Sequence, residues 1–396
     1  MPKSRLVMVG NGMAAARALQ EILARGGRDL FDISVFAEEP SGPYDRMRLA
    51  DVMAGLEDPE ELAGDIGWYL ENGVTLHLGE GAKLVSRETK RVYGSRGTIA
   101  KYDKLILATG SDVYLPPIRD MLAAHGGLRD RVFAFRTLED CRNIAAHARH
   151  AKRVVVLGGG VAALEAVRGL HGLCPDVHLV HRGSGLMRSQ LGPAGAAALQ
   201  VRVEALGVTV HLNKTATRVL DASSLRRVAF SDGSSLECDL LVVAMGIHPA
   251  TWLAYQSGLT VTRAVVVDSQ LRSVDDPTVY SLGECAEHRG QVEALAESIR
   301  EQARVLAAHI TGTDPHVVFS PRRSVSSIPL FGIEAAWIGT TDAELPSDQV
   351  TQVTEPELGG FYRLVLREGR LIGAIGLGKA GRLEELSRTV TQRVAS

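Results

Sequence analysis

The 396-residue sequence predicts an α/β protein: two doubly wound nucleotide-binding units followed by a small α+β carboxyl-terminal domain. Three observations predict it. A buried strand, a glycine turn, a helix and a second strand follow one another from Arg5 to Phe36. The same order returns from Arg153 to Val180. After Thr313 the texture changes to short β-like runs separated by polar residues. The length exceeds one ordinary hydrophobic core, which is consistent with several domains.

In the first copy RLVMVG, from Arg5 to Gly10, reads as a short buried strand. Gly10-Asn11-Gly12-Met13-Ala14-Ala15 follows, and then a helix with Leu19, Ile22 and Leu23 on one side, ended by Gly26 and Gly27. DISVF, from Asp32 to Phe36, is the second strand, with Glu38 and Glu39 at its carboxyl end. Gly10 permits the tight turn and Gly12 lets the backbone approach a pyrophosphate. Ala15 is small enough for close packing of helix on strand. The helix start offers unpaired N–H groups and a positive dipole end, and Glu38 is placed to accept hydrogen bonds from an adenosine ribose.

The second copy has RVVVL from Arg153, then Gly158-Gly159-Gly160-Val161-Ala162-Ala163, a helix, and VHLV at Val177–Val180. Two such fingerprints predict two dinucleotides whose reactive rings meet between domains. His181 and Arg182 stand after the second strand, where the first copy has an acid. A cation there accommodates a 2′-phosphate and favours NADPH; the alternative is that both side chains merely face solvent.

Between the copies, Leu105–Leu107 runs into the turn Ala108-Thr109-Gly110-Ser111, and Pro116 and Pro117 stiffen a first crossing between domains. CDLLVVAMG, ending at Gly246 and followed by Ile247-His248-Pro249, reads as the return crossing. A strand then ends in Gly283-Glu284, and a helix is predicted over Leu295–Ile310. Beyond a polar boundary that includes Asp314, Pro315, Ser320, Pro321, Ser324, Ser326 and Ser327, strands are predicted at Ala335–Ile338, Tyr362–Leu366 and Leu371–Leu377. Glu368-Gly369 is a hairpin turn, and Leu383, Leu386 and Val390 mark a short closing helix.

Composition narrows the function. Lysine and arginine total 44 against 46 acids, a net charge of -2, which disfavours a nucleic-acid binder. No apolar run approaches the roughly 18 residues of a membrane span. The basic start is followed by a glycine-containing strand and not by a signal-peptide body, so a cytoplasmic protein is expected. Cys141, Cys174, Cys238 and Cys285 are too widely spaced for a local metal or dithiol pair and are read as buried free thiols.

These motifs resemble the two-dinucleotide flavoprotein reductases, the group that includes glutathione reductase. Within it the resemblance is to the ferredoxin and rubredoxin reductase type, and nearest to the flavoprotein module of the assimilatory NAD(P)H nitrite reductase large subunit. It is carried by GNGMAAA at Gly10–Ala16, by Pro43-Tyr44-Asp45-Arg46 with Leu49, by Trp68-Tyr69 with Glu71-Asn72-Gly73-Val74, and by LILATGS at Leu105–Ser111. GGGVAALEA at Gly158–Ala166, MRSQLG at Met187–Gly192 and the run Gly283–Gly290 complete it. It is firm from about residue 5 to 312 and weak in the tail.

The resemblance implies an FAD domain in two pieces (1–112 and 241–313), an inserted NAD(P) domain (113–240) and a carboxyl-terminal domain (314–396) covering the flavin. FAD is then expected at Gly10, Gly12, Met13, Ala14, Ala15, Glu38, Arg46, Thr109, Gly110 and Glu284. NAD(P)H is expected at Gly158, Gly160, Val161, Ala162, Glu165, His181 and Arg182, with Gly246 near the nicotinamide; the histidine at 181 is shared with the nitrite reductase likeness, which generally uses NADH, against the charge argument, so the nucleotide stays open. Two departures stand out. The wider group usually has Asp where Glu284 stands. It also often pairs a lysine following the Pro-Tyr-x-Arg loop with the carboxylate at the Glu165 position, and no lysine occurs from Tyr44 to Gly81.

The implied activity is hydride transfer from NAD(P)H to FAD and electron delivery to a separate partner, with no catalytic side chain required. The partner is expected to be a small iron–sulfur protein such as a ferredoxin or rubredoxin, or a nitrite or nitrate reductase component, because no cysteine-bearing module for an iron–sulfur cluster or sirohaem follows. A monomer or homodimer is expected. Arg46, Arg48, Arg322 and Arg323 are candidate docking cations, although the last two also read as ordinary solvated arginines. Cys285 is a candidate thiol near flavin, His248 a candidate for positioning the nicotinamide or for capping, and Trp337 a core aromatic. A quinone reductase, an NAD(P)H oxidase and a non-enzymatic redox sensor remain as alternatives.

Overall fold

In the computed structural model the described residues are 2–124, 126–220, 227–293, 295–320, 326–340, 342–355, 360–379, 381–383 and 385. They fall into two units. One comprises residues up to Arg46, Asp58–Asp112 and Ile247–Arg322; the other comprises Met47–Glu57, Val113–Gly246 and the residues from Arg323 on.

The first unit is organised by a five-stranded sheet in the order Val279–Ser281, Lys104–Leu107, Ser4–Val9, Phe31–Ala37, Val74–Leu78. Every pairing in it is parallel, with Val9 beside both Phe36 and Leu107. All carboxyl ends therefore lie along one edge. The central strand is apolar from Leu6 on, where it is covered on both faces: Leu6, Val7, Met8 and Val9 are all buried. The helices Met13–Ala24 and Ala296–Thr311 pack together, burying Leu19 and Ile22 of one and Ala303 and Leu306 of the other. The first helix ends at Ala24, before the predicted glycines. Gly26 takes the left-handed conformation (φ 79°), and Gly27 opens a separate short helix, Gly27–Leu30.

The second unit repeats this plan. Its parallel sheet runs Thr209–His211, Asp176–Val180, Arg153–Leu157, Leu240–Val243, Val132–Ala134. In each unit the glycine-turn strand is central. The chain steps outward on one side through two strands, makes a three-stranded antiparallel excursion, and returns on the other side of the centre. The excursions are Ala82–Ser86, Arg91–Gly94 and Ile99–Lys101 in one unit, and Ala216–Leu220, Arg227–Phe230 and Ser235–Glu237 in the other. Only the source of the last edge strand differs. Residues 279–281 supply it late in one unit, and residues 132–134 supply it early in the other.

The second unit also holds a five-stranded antiparallel sheet in the order Ser326–Leu330, Ile333–Gly339, Arg370–Gly378, Gly360–Arg367, Gln349–Glu355. Three of these strands contain the predicted runs. Glu368 and Gly369 both take positive φ (50° and 73°) between the paired Arg367 and Arg370, as a two-residue hairpin turn of the mirror type requires. Ser326 and Ser327, read as boundary residues, instead begin an edge strand. Its alternation is clear: Ser326, Ile328 and Leu330 are buried, and Pro329 is exposed on this edge strand, the kind of position where proline is tolerated in a sheet. Leu383 is buried against this sheet. Leu386 and Val390 of the predicted closing helix lie outside the described residues. Among the described residues, no helix is long and apolar enough to cross a membrane.

Candidate functional site: two glycine turns at sheet edges

In open parallel sheets, ligands bind beyond the carboxyl ends of the strands, where the chain leaves the centre in opposite directions. The two units each place a glycine turn at that point.

In the first, Gly10 has φ +105° and donates its N–H to Phe36 O at 2.9 Å, while Ala108 N–H donates to Val9 O at 2.8 Å. A Cβ on Gly10 would stand 2.1 Å from Ala108 O, so only glycine fits both the conformation and the space. Gly12 caps the following helix without any side-chain hydrogen bond, and a Cβ there would meet nothing within 4 Å. No acid occupies the first helical turn, so its N–H groups and dipole remain available to an anion. Met13 is exposed and Ala14 half-buried, while Ala15 is buried against the sheet.

The other expected residues of this unit gather at the same edge. Glu38 is exposed one residue beyond Phe31–Ala37, with Gly81 against its stem. Thr109 Oγ1 donates to Ala250 O at 2.7 Å, and Ala250 N–H donates to Gly110 O, fixing that turn. Gly283 sits so close to the helix start that its Cβ would be 2.9 Å from that of Ala14. Its N–H donates to the buried Gln302 side chain at 2.7 Å, and this sets the position of the half-buried Glu284. Arg46 donates to Glu39 at 2.7 Å and lies over the Tyr44 ring, so its guanidinium is tied into the loop where it resides. Glu39 thus serves Arg46 and Tyr44, which separates it from its neighbour Glu38.

Sequence reasoning assigned no role to Asn11 or Tyr69. Tyr69, buried in the short helix Gly67–Glu71, donates its phenol to Asn11 Oδ1, and Asn11 Nδ2 is buried with no hydrogen-bond partner among the described residues. An orphaned donor inside a turn with uncapped helix N–H groups and open space at Gly12 fits a bound diphosphate.

The second turn repeats the first. Gly158 has φ +145°, donates to Val180 O at 2.9 Å, and would place a Cβ 2.2 Å from Ala244 O. Gly160 caps its helix with open space around it and no acid in the first turn, where Val161 and Ala162 are half-buried. The His181 ring lies over the turn, 2.4 Å from where a Gly159 Cβ would be. Burial, and then the charge of Arg182, hold the His181 pKa below the usual histidine value. Gly246 (φ +110°) accepts a hydrogen bond from Tyr114 N–H at 2.9 Å.

The matching bonds give a register between the units. Gly10 bonds to Phe36 and Gly158 bonds to Val180, so the residue two positions on is Glu38 in one unit and Arg182 in the other. Arg182 is exposed.

Glu165 is buried and accepts a hydrogen bond from Arg168 Nη2 at 2.9 Å. Arg168 also pairs with Asp51 of the Leu49–Ala54 helix. The cation that the loop lacks is therefore supplied by Glu165's own helix, one turn on. The i, i+3 spacing is the signal that reveals it in the sequence. Burial raises the Glu165 pKa against the opposing effect of Arg168.

Of the remaining candidates, Arg48 is paired with Glu57 at 2.6 Å, His248 is exposed in the short strand Ile247–Pro249, and Trp337 is half-buried in its sheet. Cys285 is fully buried, with its thiol donating to Leu282 O at 3.3 Å, and all four cysteines are buried and free. Arg322 and Arg323 lie outside the described residues.

Comparison with known proteins places this geometry. Residues 4–304 match the family model for pyridine nucleotide-disulphide oxidoreductase. The chain is 33% identical over 379 residues to the assimilatory nitrate reductase electron transfer subunit of Bacillus subtilis, covering 96% of this chain and 48% of that protein. It is 36% identical over 383 residues to the nitrite reductase [NAD(P)H] of the same organism, covering 96% and 46%. The chain thus spans about half the length of these curated relatives. Among solved structures, the covalent putidaredoxin reductase–putidaredoxin complex matches with a TM-score of 0.86 at 21% identity, over 99% of this chain and 94% of that one, a likeness of fold.

Proposed function

The chain belongs to the pyridine nucleotide-disulphide oxidoreductase family, whose members are FAD- and NAD(P)H-binding oxidoreductases, and on that premise we propose that it is an FAD-dependent NAD(P)H reductase delivering electrons to a separate redox protein. The observation that carries this reading is the pair of matching glycine turns. Each is uncapped, at a parallel-sheet edge, and open where a diphosphate must approach.

In this reading residues 1–112 and 247–313 hold FAD, residues 113–246 hold the nicotinamide nucleotide, and 314–396 form a third domain; the boundary expected at 240 moves to 246 because Leu240–Val243 pairs within the second unit's sheet. The turn from Gly10 to Ala15 binds the FAD diphosphate. Glu38 reads the adenosine ribose, and Arg46, Thr109, Gly110 and Glu284 complete the pocket. Gly158, Gly160, Val161 and Ala162 bind the second diphosphate, with Glu165, His181, Arg182 and Gly246 around the rest of NAD(P)H. FAD bound there would supply the chemistry, hydride acceptance from NAD(P)H and release of single electrons. The protein's part is to hold both nucleotides by backbone N–H groups and to read their sugars.

The buried thiols argue against use of a redox dithiol. A component of nitrate or nitrite reduction is the acceptor class suggested by the relatives' names, and an iron–sulfur electron carrier the one expected from the sequence resemblance. The test is anaerobic reduction with NADH and NADPH, followed by addition of ferredoxin, rubredoxin, quinone or oxygen. Bleaching of the flavin band and rapid reoxidation by an iron–sulfur protein are expected. If neither nucleotide bleaches the band, the reading fails; fast reoxidation by quinone or oxygen alone would make the chain a small-molecule reductase or oxidase.

A further inference from the structure

The residue between the two glycines of the first turn is held from a distance. Tyr69 lies far along the chain from Asn11, yet its phenol reaches the Asn11 side-chain carbonyl. Tyr69 is only 2% exposed, and the Trp68 ring meets it edge-on at 5.3 Å between centroids. The phenol therefore has little freedom to point elsewhere. Burial raises the Tyr69 pKa, so the phenol keeps its proton and remains a donor. With the phenol donating to Oδ1, the NH2 group of Asn11 is turned away from Tyr69. That NH2 is buried and has no partner among the described residues. Leaving it so carries a desolvation cost, which is removed when a ligand acceptor reaches it. The nearby backbone donor of Gly10 is already used by Phe36.

We propose that the Asn11 side-chain amide donates a hydrogen bond to a diphosphate oxygen of the bound flavin nucleotide, and that Tyr69 is the positioning residue that orients it. This rests on the reading of the first turn as the FAD site. It adds to that turn a side-chain donor that backbone geometry alone does not supply, and gives a role to the Trp68-Tyr69 motif.

The test uses the full chain stripped of flavin and titrated with FAD by fluorescence quenching. Asn11→Ala should weaken FAD binding about tenfold, the loss of one hydrogen bond to a charged acceptor. Asn11→Asp should weaken it further, because it sets a carboxylate against the diphosphate. Tyr69→Phe, which keeps the ring, should weaken FAD binding severalfold in the wild-type background and leave it unchanged in the Asn11→Ala background. A merely structural phenol would act in both backgrounds. At saturating FAD, the 31P resonances of the diphosphate should shift in Asn11→Ala and in Tyr69→Phe. The proposal is overturned if Asn11→Ala binds FAD like wild type, if the two substitutions add independently, or if the 31P resonances do not move. A wild-type chain that takes up no FAD would overturn the proposed function as well, so the two failures are distinct.

Discussion

The carbonyl oxygen of Ala108 stands 2.1 Å from the place a Cβ of Gly10 would occupy, while the space around Gly12, two residues on, is empty. The same contrast recurs at Gly158 and Gly160. In the proposed reading the first glycine of each turn is needed by the protein, and the third residue of the turn by its ligand. A methyl group at Gly12 or Gly160 disturbs no neighbour and fills the approach path of a diphosphate. Gly12→Ala is therefore expected to lower FAD affinity by about tenfold or more, roughly 1.4 kcal/mol, with little change in the unfolding temperature of the flavin-free chain. Gly160→Ala should stay yellow and lose NAD(P)H affinity to a similar degree. Flavin titration and nucleotide titration of both variants check this crossed pattern; equal loss of both ligands in either variant would contradict it.

Arg182 occupies the register position that Glu38 occupies in the first unit. An acid there accepts from ribose hydroxyls, and an arginine attracts a 2′-phosphate. Arg182→Ala should reduce kcat/KM for NADPH about tenfold more than for NADH, equivalent to about 1.4 kcal/mol of discrimination. Steady-state kinetics with both nucleotides decide it. An equal fall would mean that Arg182 contacts something the two nucleotides share.

The twin fingerprints were legible in the sequence because a glycine turn between an apolar strand and an amphipathic helix is a local pattern. Gly10 and Gly158 needed no tertiary information. The equivalence of Glu38 and Arg182 was half legible: the residue types were plain, but the register came from the bonds to Phe36 and Val180. Short antiparallel excursions such as Arg91–Gly94 and Ser235–Glu237 were not read, since three- and four-residue strands carry too little periodicity. Tyr69 with Asn11, and Arg168 with Asp51, were invisible as pairs because their partners lie far apart in the chain.

Glu165 and Arg168 form a buried pair in which removing one charge strands the other. Arg168→Met should therefore destabilise the protein by about 3 kcal/mol, by leaving a buried carboxylate without its cation. Glu165→Gln combined with Arg168→Met should recover much of that loss, because the amide needs no counter-ion. Asp51→Asn, which leaves the Glu165 contact intact, should cost less than Arg168→Met. Denaturant unfolding of the three variants measures this. Additive losses in the double variant would show that the two side chains act independently.

Stability should fall as the pH drops below the ordinary histidine value. Burial, followed by neighbouring cations, depresses the folded pKa of His181, His288 and His309, through Arg182, Arg289 and Arg272 respectively. His211 is depressed by burial and then by His178, whose ring nitrogen lies 2.8 Å from its own. One of those two facing nitrogens must lack a proton for the bond to exist. Because the unfolded chain takes up protons first, near pH 6.5, it binds more of them than the fold does below that pH. The stabilisation is thus complete above pH 6.5 and lost as the pH falls through the lower folded values. The carboxylate of Asp103 has no part in this window, since its hydrogen bonds to Arg5 hold its pKa at about 2. Thermal unfolding followed from pH 7.5 to 5 should show a steady decline. Replacing His211 with Asn should flatten part of it, and a melting temperature that holds or rises over this range would refute the assignment.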